Sequence, residues 1–358
     1  MSIDSRMPDH PTRVDFGRRT VVLRGAGASV RFDARSAAIC GVMAVAVIVI
    51  ALVALSTGSY QLSLGQVVSA LTGRQSGLVR DIVVEWRLPQ VAATIVFGAA
   101  LGVSGAMFQS LMRNPLASPD VIGFSTGSYT GALIVVLVVG GSYTTVALGA
   151  LAGGIATALA VYLLAYRQGV QGFRLIIVGI AVSAMLASVN TWMVLKADLE
   201  VAMAAAAWGA GSLNAVRWSQ VAVGGAVILI QFALTALLSR PMRQMELGDD
   251  TAASHGVLIG TARLGLIILG VALTATVTAA AGPIAFVALA APQIARRLTR
   301  TAGITLVPAA SVGALLLGAA NLVAQILTPT PLPVGVVTVM IGGGYMGWLL
   351  FIEARRRL

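Results

Sequence analysis

Apolar residues in this chain come in long runs, with no spacing of two or of three and four. Stretches of Ala, Val, Leu and Gly, about 17–24 residues each, are divided by short breaks carrying charge, proline or glycine. Some 20 apolar residues wound as a helix match the ~30 Å hydrocarbon core of a bilayer. Alternating segments of about ten residues would instead mark an outer-membrane barrel. Reading from break to break predicts ten spans, near 38–57, 89–112, 121–139, 144–166, 174–195, 218–239, 261–281, 284–299, 307–328 and 333–352. The eighth is short and Pro292 interrupts it. The fold class is therefore all-α, a polytopic membrane protein, with a single transmembrane domain over 37–358. Residues 1–36 carry both signs of charge and are too long and polar for the head of a signal peptide. They are expected to form a disordered cytoplasmic arm.

Composition agrees with a bilayer as solvent. Of 358 residues, 58% are hydrophobic and 10% charged, and mean hydropathy is +0.91. So few charges cannot cover a water-soluble domain of this size. The net charge of +11 would suggest nucleic acid in a soluble protein. Here the arginines gather in the arm and at span ends, as the positive-inside rule requires. Ten spans put both termini on one side, and the arm with Arg355, Arg356 and Arg357 places that side in the cytoplasm. Predicted inner loops carry Arg113, Arg167, Arg174, Arg240, Arg243, Arg263, Arg296, Arg297 and Arg300. The outer 58–88 loop still holds Arg74, Arg80 and Arg87.

Several classes of chemistry are excluded. Cys40 is the single cysteine, so there is no internal disulfide and no thiolate metal site. His10 and His255 stand alone. No span holds Asp, Glu, Lys or Arg near its middle. Ion-coupled carriers need such groups at the midplane, and a membrane enzyme needs a catalytic constellation there. A phosphate-binding loop ends in Gly-Lys-Ser/Thr, and the only lysine, Lys196, lies in Leu195-Lys196-Ala197. The chain is thus no enzyme, binds no cofactor or metal and has no engine of its own. It is either a passive channel or one part of a larger machine.

Three segments stand out. Arg113-Asn114-Pro115-Leu116-Ala117-Ser118-Pro119-Asp120 follows the second span, where Ser118 and Asp120 are placed to cap the third. Glu246-Leu247-Gly248-Asp249-Asp250-Thr251-Ala252-Ala253-Ser254-His255-Gly256 reads as a short helix, capped by Asp249 or Asp250, between two glycine turns. Such a knob, within a cytoplasmic loop at about 241–260, would fit a groove on a soluble partner. Pro292 is either a kink or a gate hinge. There is also an echo: Arg87-Leu88, Ser104-Gly105 and Pro115 against Arg263-Leu264, Ala281-Gly282 and Pro292. It links spans two and seven, and an odd offset of five implies inverted repeats.

Taken in order, Arg87-Leu88-Pro89, Gly98 to Gly105, Arg113 to Pro119, Gly123 to Gly127, Trp208 to Leu213, Leu332 to Thr338 and Gly342-Gly343 resemble the iron-siderophore/vitamin B12 family of ABC importer permeases, over roughly residues 40–356. The run Phe108 to Gly127 resembles in particular the permeases for catecholate siderophores of the enterobactin type. The resemblance implies a type II ABC importer permease that pairs with a second permease chain. Two cytoplasmic ATPases, which use the ATP, and an extracytoplasmic siderophore-binding protein would complete the machine.

By this likeness Leu247, Gly248, Asp249, Asp250, Ala252, Ala253, His255 and Gly256 form the ATPase-coupling element. Arg113, Asn114, Pro115, Ser118 and Pro119 form a cytoplasmic loop or gate. Arg87, Gln90 and Gln325 stand at the docking site for the binding protein, and Gly105, Phe124, Phe286 and Pro292 on the translocation path. A short helix near the outer gate is expected within 197–214. Gln90 and Gln325 replace arginines of the best-known relative, which puts docking by charge in doubt there. The family's Phe-Val-Gly-Leu-x-x-Pro-His is altered to Phe286-Val287-Ala288-Leu289 with Pro292-Gln293. Cargo stays open among siderophore complexes, vitamin B12 and haem, and a stand-alone secondary transporter or channel is the rival reading.

Overall fold

A computed structural model describes residues 20–25, 28–139, 143–165, 172–303, 305–328 and 330–357. A helix occupies each of the ten predicted segments. In chain order the helices are α1 (Ala34–Ser56), α2 (Leu64–Leu71), α3 (Leu78–Met112), α4 (Phe124–Val138), α5 (Tyr143–Ala165), α6 (Gly172–Lys196) and α7 (Leu199–Gly209). There follow α8 (Trp218–Glu246), α9 (Asp249–Ser254), α10 (Ile259–Ala281), α11 (Val287–Thr299), α12 (Leu306–Ile326) and α13 (Val334–Arg357). Seven of these are long and apolar enough to cross a membrane. The third, eighth and tenth predicted spans are not among the seven; α11, the eighth, has 13 residues, about 20 Å of helix, and it starts inside the protein.

Within the arm, where disorder is expected, residues 20–25 and 28–33 are strand. Residues 1–19, 26 and 27 lie outside the described residues. Thr20–Gly25 and Ala28–Asp33, β1 and β2, pair as an antiparallel hairpin with Val21 opposite Phe32 and Leu23 opposite Val30. Their β-branched and aromatic residues favour extended backbone, and Asp33 then caps α1 by accepting from the Arg35 amide at 3.0 Å. The 58–88 segment is also more ordered than a plain loop. Ser63 and Gln66 form a reciprocal capping box on α2. A π-helical turn over Asp81–Arg87 leads into Leu88, so the missing amide of Pro89 falls where the hydrogen-bond ladder is already shifted.

The core is a set of close helix crossings. α3, buried along most of its length, packs on α12, where Gly98 and Gly313 lie backbone against backbone. α4 packs on α5 through Gly127, Gly131, Gly149 and Gly153 in the same manner. Small residues let helix axes approach this closely where no water is present to drive association. The pairings repeat at an offset of five spans: α3 with α12 matches α10 with α5, and α4 with α5 matches α11 with α12. The helix starts match as well, since Gly123 before α4 and Phe286 before α11 are both left-handed, with φ of 90° and 67°. The repeat is real in topology, in a different register from the echo read in the sequence.

Candidate functional site

The residues expected to couple and to dock lie at the two ends of α3, whose stretch Leu88–Met112 contains 25 residues, about 37 Å of helix. At one end, Gly248 (φ 124°) and Gly256 (φ 82°) turn the chain into and out of α9. Side chains other than glycine are strained at such angles. Ala252 is fully buried against the core, whereas Leu247 and Leu258 are 71% and 76% exposed. Asp250, Ala253 and His255 are exposed too. The result is a knob fastened by one face.

Asp249 does not cap α9, contrary to the expected role, because Gly248 takes the cap position and no side chain bonds there. Its carboxylate instead bridges two arginines from different helices. Arg113 Nη2 lies 2.7 Å from Oδ1 and Arg263 Nη2 lies 2.7 Å from Oδ2. Arg113 also donates to the Met245 carbonyl at 2.6 Å, and Ser110 Oγ donates to Glu246 at 2.7 Å. The knob is therefore tied to the end of α3 and the start of α10 through fixed charges that sequence spacing could not pair.

The 113–123 loop folds back into the protein. Asn114 Oδ1 accepts from the Leu116 amide at 2.9 Å, Ser118 is fully buried, and Ser118 Oγ accepts from the Val121 amide at 3.4 Å. Neither Ser118 nor Asp120 caps α4, whose cap residue is Gly123 with no side-chain bond. Asp120 reaches across to α11. Its Oδ2 accepts from the Phe286 amide at 3.2 Å, and its Oδ1 from Ser125 Oγ at 3.1 Å. Withdrawal from water pushes this carboxyl up to about 6, against those two bonds that hold it down. Gln293 Nε2 donates to the Pro115 carbonyl at 2.6 Å, and Gln109 Nε2 to the Leu289 carbonyl at 2.9 Å.

Pro292 has no amide to give the Ala288 carbonyl. That oxygen faces Gly105 of α3, where a Cβ would overlap it. Of the four residues expected on the path, Gly105, Phe124 and Pro292 are thus buried in helix packing, and Phe286 is half-buried. Phe286 lines a small cavity with Leu316, Ile341 and Tyr345 and rests on Gly342 of α13.

At the opposite end of α3, Arg87, Gln90 and Gln325 line one cavity of about 560 Å³ together with Tyr60, Trp86 and Asn214. Arg87 is committed within the chain: it donates to the Leu55 carbonyl at 2.8 Å and the Tyr60 carbonyl at 2.5 Å. Gln325 Nε2 donates to Gln90 Oε1 at 3.2 Å, and Gln90 Nε2 to the Asn214 carbonyl at 3.0 Å. The two glutamines share one bond where two arginines would repel. Arg87→Ala is expected to cost about 1–3 kcal/mol, the worth of bonds to a charged donor, and to speed hydrogen exchange over residues 56–62. An unchanged melting temperature with unchanged exchange there would contradict this clamp. Among the described residues, no group of three or more His, Cys, Asp or Glu could hold a metal ion.

The profile of the FecCD transport family matches residues 45–351. The ferric enterobactin transport system permease protein FepG of Escherichia coli (strain K12) is 49% identical over 319 residues, covering 89% of this chain and 97% of that protein. The Fe(3+)-citrate import system permease protein YfmE of Bacillus subtilis (strain 168) is 34% identical, covering 88% and 95%. Among solved structures, an inward-facing metal-chelate-type ABC transporter superposes with a TM-score of 0.76 at 25% identity, covering 88% of this chain and 99% of that one.

Proposed function

The chain belongs to the FecCD transport family, and from that premise we propose that it is the membrane-spanning permease subunit of an ATP-driven importer of iron(III)–siderophore complexes. It resides in the bacterial cytoplasmic membrane as a multi-pass protein with both termini in the cytoplasm. A second permease chain, two cytoplasmic ATPases and an extracytoplasmic binding protein complete the importer. This chain binds no nucleotide and performs no covalent chemistry; ATP is used by the partners. The observation that carries the reading is α9, an exposed knob whose Asp249 is bridged to Arg113 and Arg263. Movement imposed on it from the cytosol is delivered to α3 and α10 together. Both belong to the buried core, so the push is felt where the helices cross.

The cargo favoured is a ferric catecholate of the enterobactin type. The relative named for ferric enterobactin is 49% identical, against 34% for one named for iron citrate and 32% for the hemin permease HmuU of Yersinia pestis. The test is uptake of radioactive iron by cells that lack their own ferric enterobactin permease and carry this chain with its partner subunits. Uptake of ferric enterobactin, unaffected by excess ferric citrate or haem, is expected. Uptake of haem or ferric citrate in its place would contradict the cargo.

A further inference from the structure

Between the knob and the interior lies one carboxylate that the proposed function does not use. We propose that Asp120 is a positioning residue for transport, tying the start of α11 to the α3–α4 loop so that movement of α9 reaches Phe286. This rests on the reading of α9 as the element moved by the ATPases.

The linkage has three parts. α9 is joined to the loop's first residue through Asp249 and Arg113 at 2.7 Å. The loop is joined to α11 at two points, Pro115 to Gln293 at 2.6 Å and Asp120 to the Phe286 amide at 3.2 Å. α11 is joined to α13 by Phe286 seated on Gly342. α11 meets α13 again at its far end, where Arg297 lies 5.8 Å from the centre of the Trp348 ring; of the two loop-to-α11 bonds, the one at Asp120 holds Phe286, the residue seated on Gly342.

Local geometry explains why a carboxylate is needed. Phe286 has φ 67° and no cap from its own neighbours, and bulky residues seldom hold such an angle unless the surroundings fix it. At the equivalent place before α4 stands Gly123, which adopts φ 90° freely. The start of a helix also carries partial positive charge, which favours an acceptor bearing negative charge. Ser125 orients that acceptor through a bond at 3.1 Å. Without Asp120, Phe286 is free to leave the left-handed region, and the link between loop and α13 slackens while α9 stays fastened.

The experiment uses the complete complex in proteoliposomes, with ferric enterobactin as the transported probe. Uptake and ATP hydrolysis are measured together, with hydrogen exchange over residues 283–290. Asp120→Ala is expected to keep ATP hydrolysis but lower uptake per ATP by about tenfold, the factor that goes with losing a bond to a charged group. Exchange at 283–290 should rise. Asp120→Asn keeps an oxygen for the Phe286 amide and gives its own amide to Ser125, so it should restore both readouts. Unchanged uptake per ATP in Asp120→Ala, or a loss that Asn fails to restore, overturns the proposal. Lower yield with an unchanged ratio does so too, since that is the mark of a purely structural role. If Asp120→Ala gives no folded protein, Ser125→Ala carries the test, with uptake per ATP below wild type in support and equal to it against. Should the wild-type complex fail to move ferric enterobactin, the cargo reading falls, and exchange at 283–290 still decides whether Asp120 holds Phe286.

Discussion

Gly105→Ala is expected to abolish recovery of folded protein, although it adds a single methyl group. A Cβ at Gly105 would occupy the space of the Ala288 carbonyl, a main-chain atom with no rotamer to escape into. That carbonyl receives no amide from Pro292, four residues on, and faces α3 instead. Relief requires α3 and α11 to separate. α3 also carries the crossing on α12 through Gly98 and Gly313, so the disturbance would spread. The cost should exceed the ~1–3 kcal/mol typical of an overpacked core. Gly41→Ala, in α1 with open space around it, is the matched control and should behave as wild type. Yield of monodisperse protein after detergent extraction, with its melting temperature, reads both. Normal yield and melting for Gly105→Ala would show that the α3–α11 contact is not as tight as described.

Gly256→Pro is expected to leave insertion and yield intact while ATP-driven uptake drops to background. Gly256 has φ 82°, far from the angle of about −65° that proline imposes. Its amide donates to the Ala253 carbonyl at 2.9 Å, a bond that proline cannot make. The exit from α9 must therefore take another course, and the knob changes its angle. Nothing crowds a Cβ at this position, so the bundle itself has no reason to fail. Gly256→Ala bears only the strain of a left-handed residue, about 1–2 kcal/mol, and should retain partial uptake. Full uptake by the proline variant would remove α9 from the coupling path.

How far these features were legible in the sequence follows from their range. The helices were legible because hydropathy is local: a run such as 34–56 contains its own reason to be a span. Two local signals are independent of hydropathy. Ser63-Leu64-Gly65-Gln66 carries the pattern of a capping box, and the β-branched residues of 20–33 favour strand. Hydropathy registers neither. The knob was legible from its two glycines, but the partners of Asp249 were not. Arg113 lies 136 residues away in the chain, and nothing in the spacing distinguishes it from other arginines. Asp120 shows the same limit: a carboxylate ahead of a helix looks like the cap of that helix, and only the fold reveals that it caps another one 166 residues on. Gln90 and Gln325 looked like missing charge, yet together they form an amide pair. In each case the local chemistry was readable, while the identity of the partner belonged to the packing.

We propose that this bundle of helices is moved by subunits that it does not itself contain. The most direct test is uptake of ferric enterobactin into proteoliposomes carrying either this chain alone or the full complex, each with ATP or with a proton or sodium gradient. Uptake is predicted only for the full complex and only with ATP. Uptake by this chain alone, driven by an ion gradient and indifferent to ATP, would contradict it.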